Sequence, residues 1–290
     1  MKIVVSGGTG FLGEPLVRRL LQRGAEVLVL SRDPSKVRIG QGIPWSAVSE
    51  AGTAEVIINL AGENVGAGRW TAERKRNILN SRVEATTALV TAIRRAREKP
   101  RTFISASAVG FYGVREDEIL DERSESGSGF LAEVTLEWEE VARRAEGVAR
   151  VVIFRFGVVL ARDGGPLKKM LLPFYFGAGG PIGSGNQWMS WVDREDLLRA
   201  IEWAIDNPQV RGTYNITAPE PVRNRDFARA LGRLVHRPSF MPTPAFALRL
   251  AFGEMADEIL LGGQRVVPSR ATKEGFTFNY PTLEASLQRV

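Results

Sequence analysis

Glycines at positions 7, 10 and 13 follow directly on a short apolar run, Lys2-Ile3-Val4-Val5-Ser6, and this junction constrains the fold more than any other part of the chain. The run reads as a buried strand. The sequence from about Phe11 reads as a helix, with Leu16, Val17, Leu20 and Leu21 on one face. A strand that passes into a helix through G-x-x-G-x-x-G meets specific physical demands. One glycine makes a turn that other residues resist, one lets backbone approach a pyrophosphate, and one lets the helix pack on the strand. The free N–H groups and positive end of the helix then face the phosphates. At the start of a βαβ unit this spacing predicts a dinucleotide site.

The rest of the chain supplies such units. Gly24 closes the first helix, and 26–30 is a second strand. Residues 33–54 are rich in Gly, Pro and Ser and are expected to hold little regular structure. Val56-Ile57-Ile58-Asn59-Leu60 is a third strand, followed by a long helix over about 71–98 with an interruption near Asn80-Ser81. Strands at 102–105 and 151–156 flank a helix at about 131–145, and 213–216 reads as another strand. The second half adds helices at about 167–176, 195–205, 224–235, 245–251 and 254–261, a strand at 188–192, and Gly-rich loops at 164–166 and 177–185. Buried strands alternating with helices predict an α/β fold, a Rossmann-like doubly wound parallel sheet with a smaller C-terminal α/β lobe. The nucleotide-binding domain is expected over 1–165, its sheet completed by parts of 186–218. Segments 166–185 and 219–290 are expected to form the substrate-side lobe, with ligands in the crevice between.

Composition narrows the chemistry. The 290 residues include no cysteine and one histidine, His236. Disulfides, thiolate metal sites and multi-histidine metal sites are thereby excluded, and no metal is expected. Apolar runs fall well short of about 18 residues, so no membrane partner is expected. The first strand begins at Lys2, so a cytoplasmic location and no targeting segment are expected. The expected state is a monomer or homodimer, which nothing in the sequence decides between. The net charge of +6 raises the question of nucleic acid. The basic residues are spread out and alternate with acidic ones on the helices, so an anionic cofactor and a small-molecule substrate are expected instead.

The end of the second strand selects the cofactor. An NAD site usually carries Asp or Glu there, accepting hydrogen bonds from the ribose 2′-OH. This chain has Ser31-Arg32, which offers a hydroxyl and a guanidinium to a 2′-phosphate and predicts NADP(H). Asp33 is expected to turn away, since Pro34 follows it.

These residues resemble the extended branch of the short-chain dehydrogenase/reductase superfamily along the whole chain. Gly7–Gly13 is similar to its glycine motif, Asn59-Leu60-Ala61-Gly62 to its N-x-A-G element, and Ser105-Ala106-Ser107 before Tyr112-Gly113 to its active-site serine and Y-G pair. A narrower set resembles the atypical epimerase family that includes human family 39U member 1 and bacterial relatives. It comprises Asn59–Asn64, Gly179–Gly185, Ala218-Pro219-Glu220-Pro221-Val222, and Leu261, Gln264, Arg265, Val266 and Pro268. The resemblance implies NADP(H) binding and an oxidoreductase or epimerase activity. It implies cofactor contacts at Gly7, Thr9, Gly10, Phe11, Leu12, Gly13, Ser31, Arg32, Leu60, Ala61, Asn77, Arg82 and Val159.

The superfamily's Y-x-x-x-K pair, in which tyrosine exchanges a proton and lysine tunes it, is absent from this sequence. Its expected positions hold Phe130 and Val134, which read as core. Ser107 and Tyr112 are the expected catalytic residues, with Ser105 and Glu133 behind them. Trp188 and Trp191 are expected to wall the nicotinamide side, and Lys168, Lys169 or Arg223 to meet an anionic substrate group. The other reading of the missing pair is an NADP(H)-binding regulator or scaffold that turns nothing over.

Overall fold

The computed structural model describes residues 1–289. Seven parallel strands make one sheet: β1 (Lys2–Ser6), β2 (Glu26–Ser31), β3 (Gln41–Pro44), β4 (Val56–Asn59), β5 (Thr102–Ala108), β6 (Arg150–Phe156) and β7 (Gly212–Ile216). Their order across the sheet is β3-β2-β1-β4-β5-β6-β7. The chain runs outward from β1 in one direction, returns, and continues from β4 in the other. This is the doubly wound arrangement expected from the sequence.

Strand side chains alternate between two apolar layers, which is why the strands read as unbroken apolar runs. Ile3 and Val5 pack with Leu16, Val17 and Leu20 of α1 (Gly13–Gln22). The same layer takes in Leu197, Leu198 and Ile201 of α5 (Arg194–Asp206). Val4 faces the opposite layer, with Leu89, Val90 and Ile93 of α2 (Ala72–Arg95) and Ala142 of α3 (Phe130–Arg143). The remaining helices include α4 (Gly165–Tyr175), α6 (Asn224–Leu234) and α7 (Ala245–Phe252).

Three local expectations are corrected. The long helix α2 is not interrupted. The Ser81 hydroxyl donates back to the Ile78 carbonyl at 3.1 Å and accepts the Glu63 amide at 3.0 Å, so its polar group is satisfied without breaking the ladder. Residues 33–54 contribute β3, a short edge strand with only Ile43 buried; a Pro at its end is tolerated at an edge. The strand at 188–192 splits. Trp188–Met189 pairs with Val222–Arg223, and Trp191–Asp193 pairs with Val158–Leu160. Between them Ser190 donates to the Gln264 carbonyl and accepts the Val266 amide, both at 2.8 Å.

The C-terminal lobe is tied to the sheet domain at the start of α3. The Glu258 carboxylate accepts the Phe130 and Leu131 amides at 2.7 and 2.9 Å. It thereby serves as a remote N-cap, set against the helix's positive end. Glu258→Ala is expected to lower stability by about 1–2 kcal/mol, a drop of roughly 2–4 °C per kcal/mol in thermal midpoint by circular dichroism. An unchanged midpoint would show that this tie does not stabilise the fold.

Candidate functional site

The glycine turn sits where the strand order reverses, between β1 and its neighbours β2 and β4. Gly7 has φ +72°, and a Cβ there would lie 2.6 Å from the Leu60 carbonyl oxygen. A Cβ on Gly13 would lie 2.1 Å from the Gly7 carbonyl oxygen. The turn is pressed against the end of β4 on one side and the first turn of α1 on the other. Gly10 donates its amide to the Gly7 carbonyl at 3.0 Å and accepts the Glu14 amide at 3.1 Å. The amides of Phe11 and Leu12 have no such partner among the described residues, and Leu12 caps α1. They stand at a helix N-terminus beside exposed Thr9 and Gly10, an anion-binding arrangement. The Phe11 ring carries the loop after Val158–Leu160: a Cβ on Gly165 would lie 2.6 Å from it. The Arg194 guanidinium, paired with Asp163 at 2.7 Å, lies 5.0 Å from the same ring.

Ser31 and Arg32 lie one strand away, at the end of β2. The Asp33 carboxylate is turned into its own tight turn. It accepts the Ser35 hydroxyl at 2.6 Å and the Lys36 ammonium at 3.1 Å. These contacts, the Ser35 hydrogen bond foremost, hold it below the ordinary carboxylate range. Arg32 is exposed and has no carboxylate partner among the described residues.

Asn59 knots the crevice floor together. Its side chain accepts the Ser6 hydroxyl at 2.7 Å and donates to Thr86 of α2 at 2.8 Å, joining β1, β4 and α2 in the dry interior. Leu60 and Ala61 follow, half-buried at the crevice edge. Gly62 leaves room for Arg82, whose Cζ would lie 3.0 Å from a Cβ there. Arg82 donates to the Ile78 and Glu63 carbonyls and stacks 5.1 Å from Trp138. Burial pulls its guanidinium down to about 10, so it stays charged at neutral pH. Val159 packs half-buried against the core in the Val158–Leu160 strand. Asn77 is exposed on α2, where the structure gives it no partner among the described residues.

Ser107 and Tyr112 do not open on the crevice as expected of proton donors. They are 2% and 0% exposed. The Ser107 hydroxyl donates to Glu139 of α3 at 2.7 Å. Glu139 accepts two bonds from Arg155 of β6, at 2.7 and 2.8 Å. Arg155 donates to the Tyr112 hydroxyl at 3.0 Å, and Tyr112 donates to Asn215 of β7 at 2.8 Å. Burial opposes both charges, but the paired hydrogen bonds outweigh it. The Glu139 carboxyl ends below its ordinary range and the Arg155 guanidinium above its own. Burial pushes the Tyr112 phenol up, so it stays protonated. Sequence reasoning missed Glu139 and Arg155. The available signal was an arginine inside the otherwise apolar run Val151–Phe156, which calls for a buried counter-charge.

Other expected site residues are committed elsewhere. Phe130 and Val134 pack with Trp70, Ile78 and Met255. Ser105 is buried beside Asn59, and Glu133 is exposed on the outer face of α3. Trp191 cannot wall a ligand site: it is fully buried and donates to the Glu220 carbonyl. Arg223 is ion-paired with Asp117 and stacked 4.0 Å from Trp188.

A family model described as the NAD dependent epimerase/dehydratase family matches residues 3–217. The chain belongs to that family. A second model, a domain of unknown function (DUF1731), matches residues 243–290. Among epimerase family proteins, the chain is 40% identical to the chloroplastic SDR39U1 homolog of Arabidopsis thaliana, over all of this chain and 86% of that one. It is 39% identical to YfhF of Bacillus subtilis, over all of this chain and 98% of that one. The structure of human epimerase family protein SDR39U1, solved with NADPH, superposes with a TM-score of 0.94 at 35% identity, covering 100% of this chain and 99% of that one. A UDP-glucuronic acid 4-epimerase from Bacillus cereus, at 17% identity and a TM-score of 0.80, shares the fold.

Within this epimerase-family fold the buried pair is open to test. Glu139→Gln leaves Arg155 without its counter-charge and is expected to cost about 3–5 kcal/mol in urea unfolding. Arg143→Ala removes a guanidinium that also meets Glu139, at 2.6 Å from the half-exposed end of the network, and is expected to cost under about 1 kcal/mol. The folded Glu139 value lies below the unfolded one. Its contribution is therefore present above the ordinary glutamate range and is lost as pH falls through the folded value. Parent stability should drop more steeply on acidification than that of Glu139→Gln, and equal slopes would contradict the pairing.

Proposed function

We propose that the chain binds NADP(H) and acts as an oxidoreductase or epimerase-like enzyme on an unidentified small molecule. The observation that carries this reading is the end of β2. Arg32 has no carboxylate partner among the described residues, and the Asp33 carboxylate is held away by Ser35 and Lys36. The Ser31 hydroxyl beside it donates to the Asp33 carbonyl at 2.9 Å and would have to turn to reach a ligand. A 2′-phosphate fits that donor set, whereas the ribose 2′-OH of NAD would find no carboxylate acceptor there. The NADPH in the human SDR39U1 structure supports the assignment.

The residues around the glycine turn and the end of β2 suit the pyrophosphate and adenosine portions of the cofactor. The Phe11 and Leu12 amides, with Gly7, Thr9, Gly10 and Gly13 around them, would hold the pyrophosphate. Arg32 and Ser31 would hold the 2′-phosphate, and Leu60, Ala61 and Arg82 would line the adenosine side. Val159 and Asn77 belong to the same proposed set at its margins. A bound nicotinamide supplies hydride transfer. Ser107 and Tyr112, both sealed in the network with Glu139 and Arg155, act as positioning residues for the end of β5. The burial of both hydroxyls also favours the second reading, a non-catalytic NADP(H)-binding regulator or scaffold.

Two measurements test these readings. Arg32→Glu is expected to weaken NADPH binding by about 10- to 100-fold in a fluorescence titration, the range of one charge-assisted contact. NADH binding should change little. Equal loss for both cofactors, or none, would remove the 2′-phosphate assignment. A screen of NADPH oxidation over carbonyl and nucleotide-sugar panels should show turnover. Ser107→Ala and Tyr112→Phe should lower it several-fold without abolishing it. Tight NADPH binding with no turnover across the panels would favour the regulator reading.

A further inference from the structure

The C-terminal lobe concentrates two properties that the rest of the molecule balances. Residues 164–192 and 227–253 contain Lys168, Lys169, Arg229, Arg233, Arg237 and Arg249 and no Asp or Glu. Those six cations equal the net +6 of the entire chain. Arg229, Arg233 and Arg249 are paired with carboxylates from outside these stretches. Lys168, Lys169 and Arg237 have no carboxylate within reach among the described residues. The same stretches expose large apolar side chains. Leu172, Phe176, Phe240, Met241, Phe246 and Leu250 are all more than half exposed, Phe176 at 80%.

These side chains come from segments bonded to one another. Gly183 donates to the Thr243 carbonyl and Thr243 to the Pro181 carbonyl, both at 2.9 Å, joining the loop after α4 to the approach to α7. The inner face of α4 buries Leu167, Leu171 and Phe174, while its outer side carries exposed Leu172 beside Lys168 and Lys169, the last donating to the Gly66 carbonyl at 3.4 Å. Exposed apolar groups next to cations are the pattern of an interfacial helix. Next to Phe240 and Met241 lies an open cleft of about 540 Å³ lined by Arg229, Arg233, His236, Arg237 and Ser239. The end of α6 favours cations on its own account, so the basic cleft alone would not indicate a ligand. Its place beside exposed aromatic and aliphatic groups does.

We infer that this face docks on an anionic phospholipid bilayer. The unpaired cations meet the headgroups, the cleft takes a lipid phosphate, and the apolar side chains enter the interface. No helix among the described residues is long and apolar enough to cross a membrane, so the protein lies on the bilayer rather than through it. The expectation of no membrane partner rested on spans alone.

The test is co-sedimentation of the full chain with phosphatidylcholine vesicles, with and without phosphatidylglycerol. Binding is expected only with the anionic lipid and should weaken as salt rises. Lys168→Glu/Lys169→Glu/Arg237→Glu and, separately, Phe176→Ser/Phe246→Ser/Leu250→Ser should each lower the partition by about tenfold or more. Leu136→Ser, on α3, should bind like the parent. Circular dichroism melts confirm folding, and if the apolar variant fails to fold the charge-reversal variant carries the test. No binding to anionic vesicles, or binding indifferent to the charge reversals, overturns the inference. So does displacement by inorganic phosphate beyond that by chloride at equal ionic strength, which would make the cleft a free-phosphate site. A parent dimer in sedimentation velocity that the apolar variant dissociates would assign the face to a second copy and overturn it equally.

Discussion

The contact of Gly7 with the Leu60 carbonyl oxygen governs the architecture around the site. A side chain at Gly7 would force β1 and the end of β4 apart, and a side chain at Gly13 would push α1 off the turn. With both absent, the Phe11 and Leu12 amides emerge at a helix N-terminus directly above the point where the strand order reverses. Beneath them, Asn59 joins Ser6 and Thr86, so the strand ends and α2 hold the crevice floor as one unit. Arg82 can lie against the crevice because Gly62 leaves it space.

A second constraint lies behind the crevice. In a conventional member of the superfamily, a tyrosine and a lysine on the helix after β5 face the reacting atoms. In this chain the equivalent helix, α3, turns Phe130 and Val134 into an apolar cluster and spends Glu139 on Arg155. The hydroxyls of Ser107 and Tyr112 are absorbed by the same ion pair, which spans α3, β5, β6 and β7. The pair ties the end of the sheet to α3 and leaves both hydroxyls buried and hydrogen-bonded within the network.

The C-terminal lobe follows a different logic. It reaches back to cap α3 through Glu258 while leaving apolar side chains and unpaired cations on its outer surface. The sheet domain balances its charges in surface pairs such as Arg19 with Glu202 and Arg23 with Asp206. The two parts thus differ in their surfaces, with more large apolar side chains exposed on the C-terminal lobe.

Local sequence alone determined the doubly wound sheet and the glycine turn, and it supplied the expectation of a phosphorylated cofactor from Ser31-Arg32. Each depends on residues close together in the chain: apolar runs, glycine spacing, and the type of side chain at one strand end. The absence of the Tyr-Lys pair was equally legible, because a missing four-residue spacing needs no tertiary context. Tertiary structure decided what replaces it. Glu139 and Arg155 are 16 residues apart and meet Tyr112 and Asn215 only because β5, β6 and β7 are neighbours. Trp191 reads as a ligand wall in sequence and is core in space, because Ser190 breaks its strand and turns it inward. A buried charge network is a property of three-dimensional proximity in a dry interior, and no periodicity along the chain encodes which partner each charge will find.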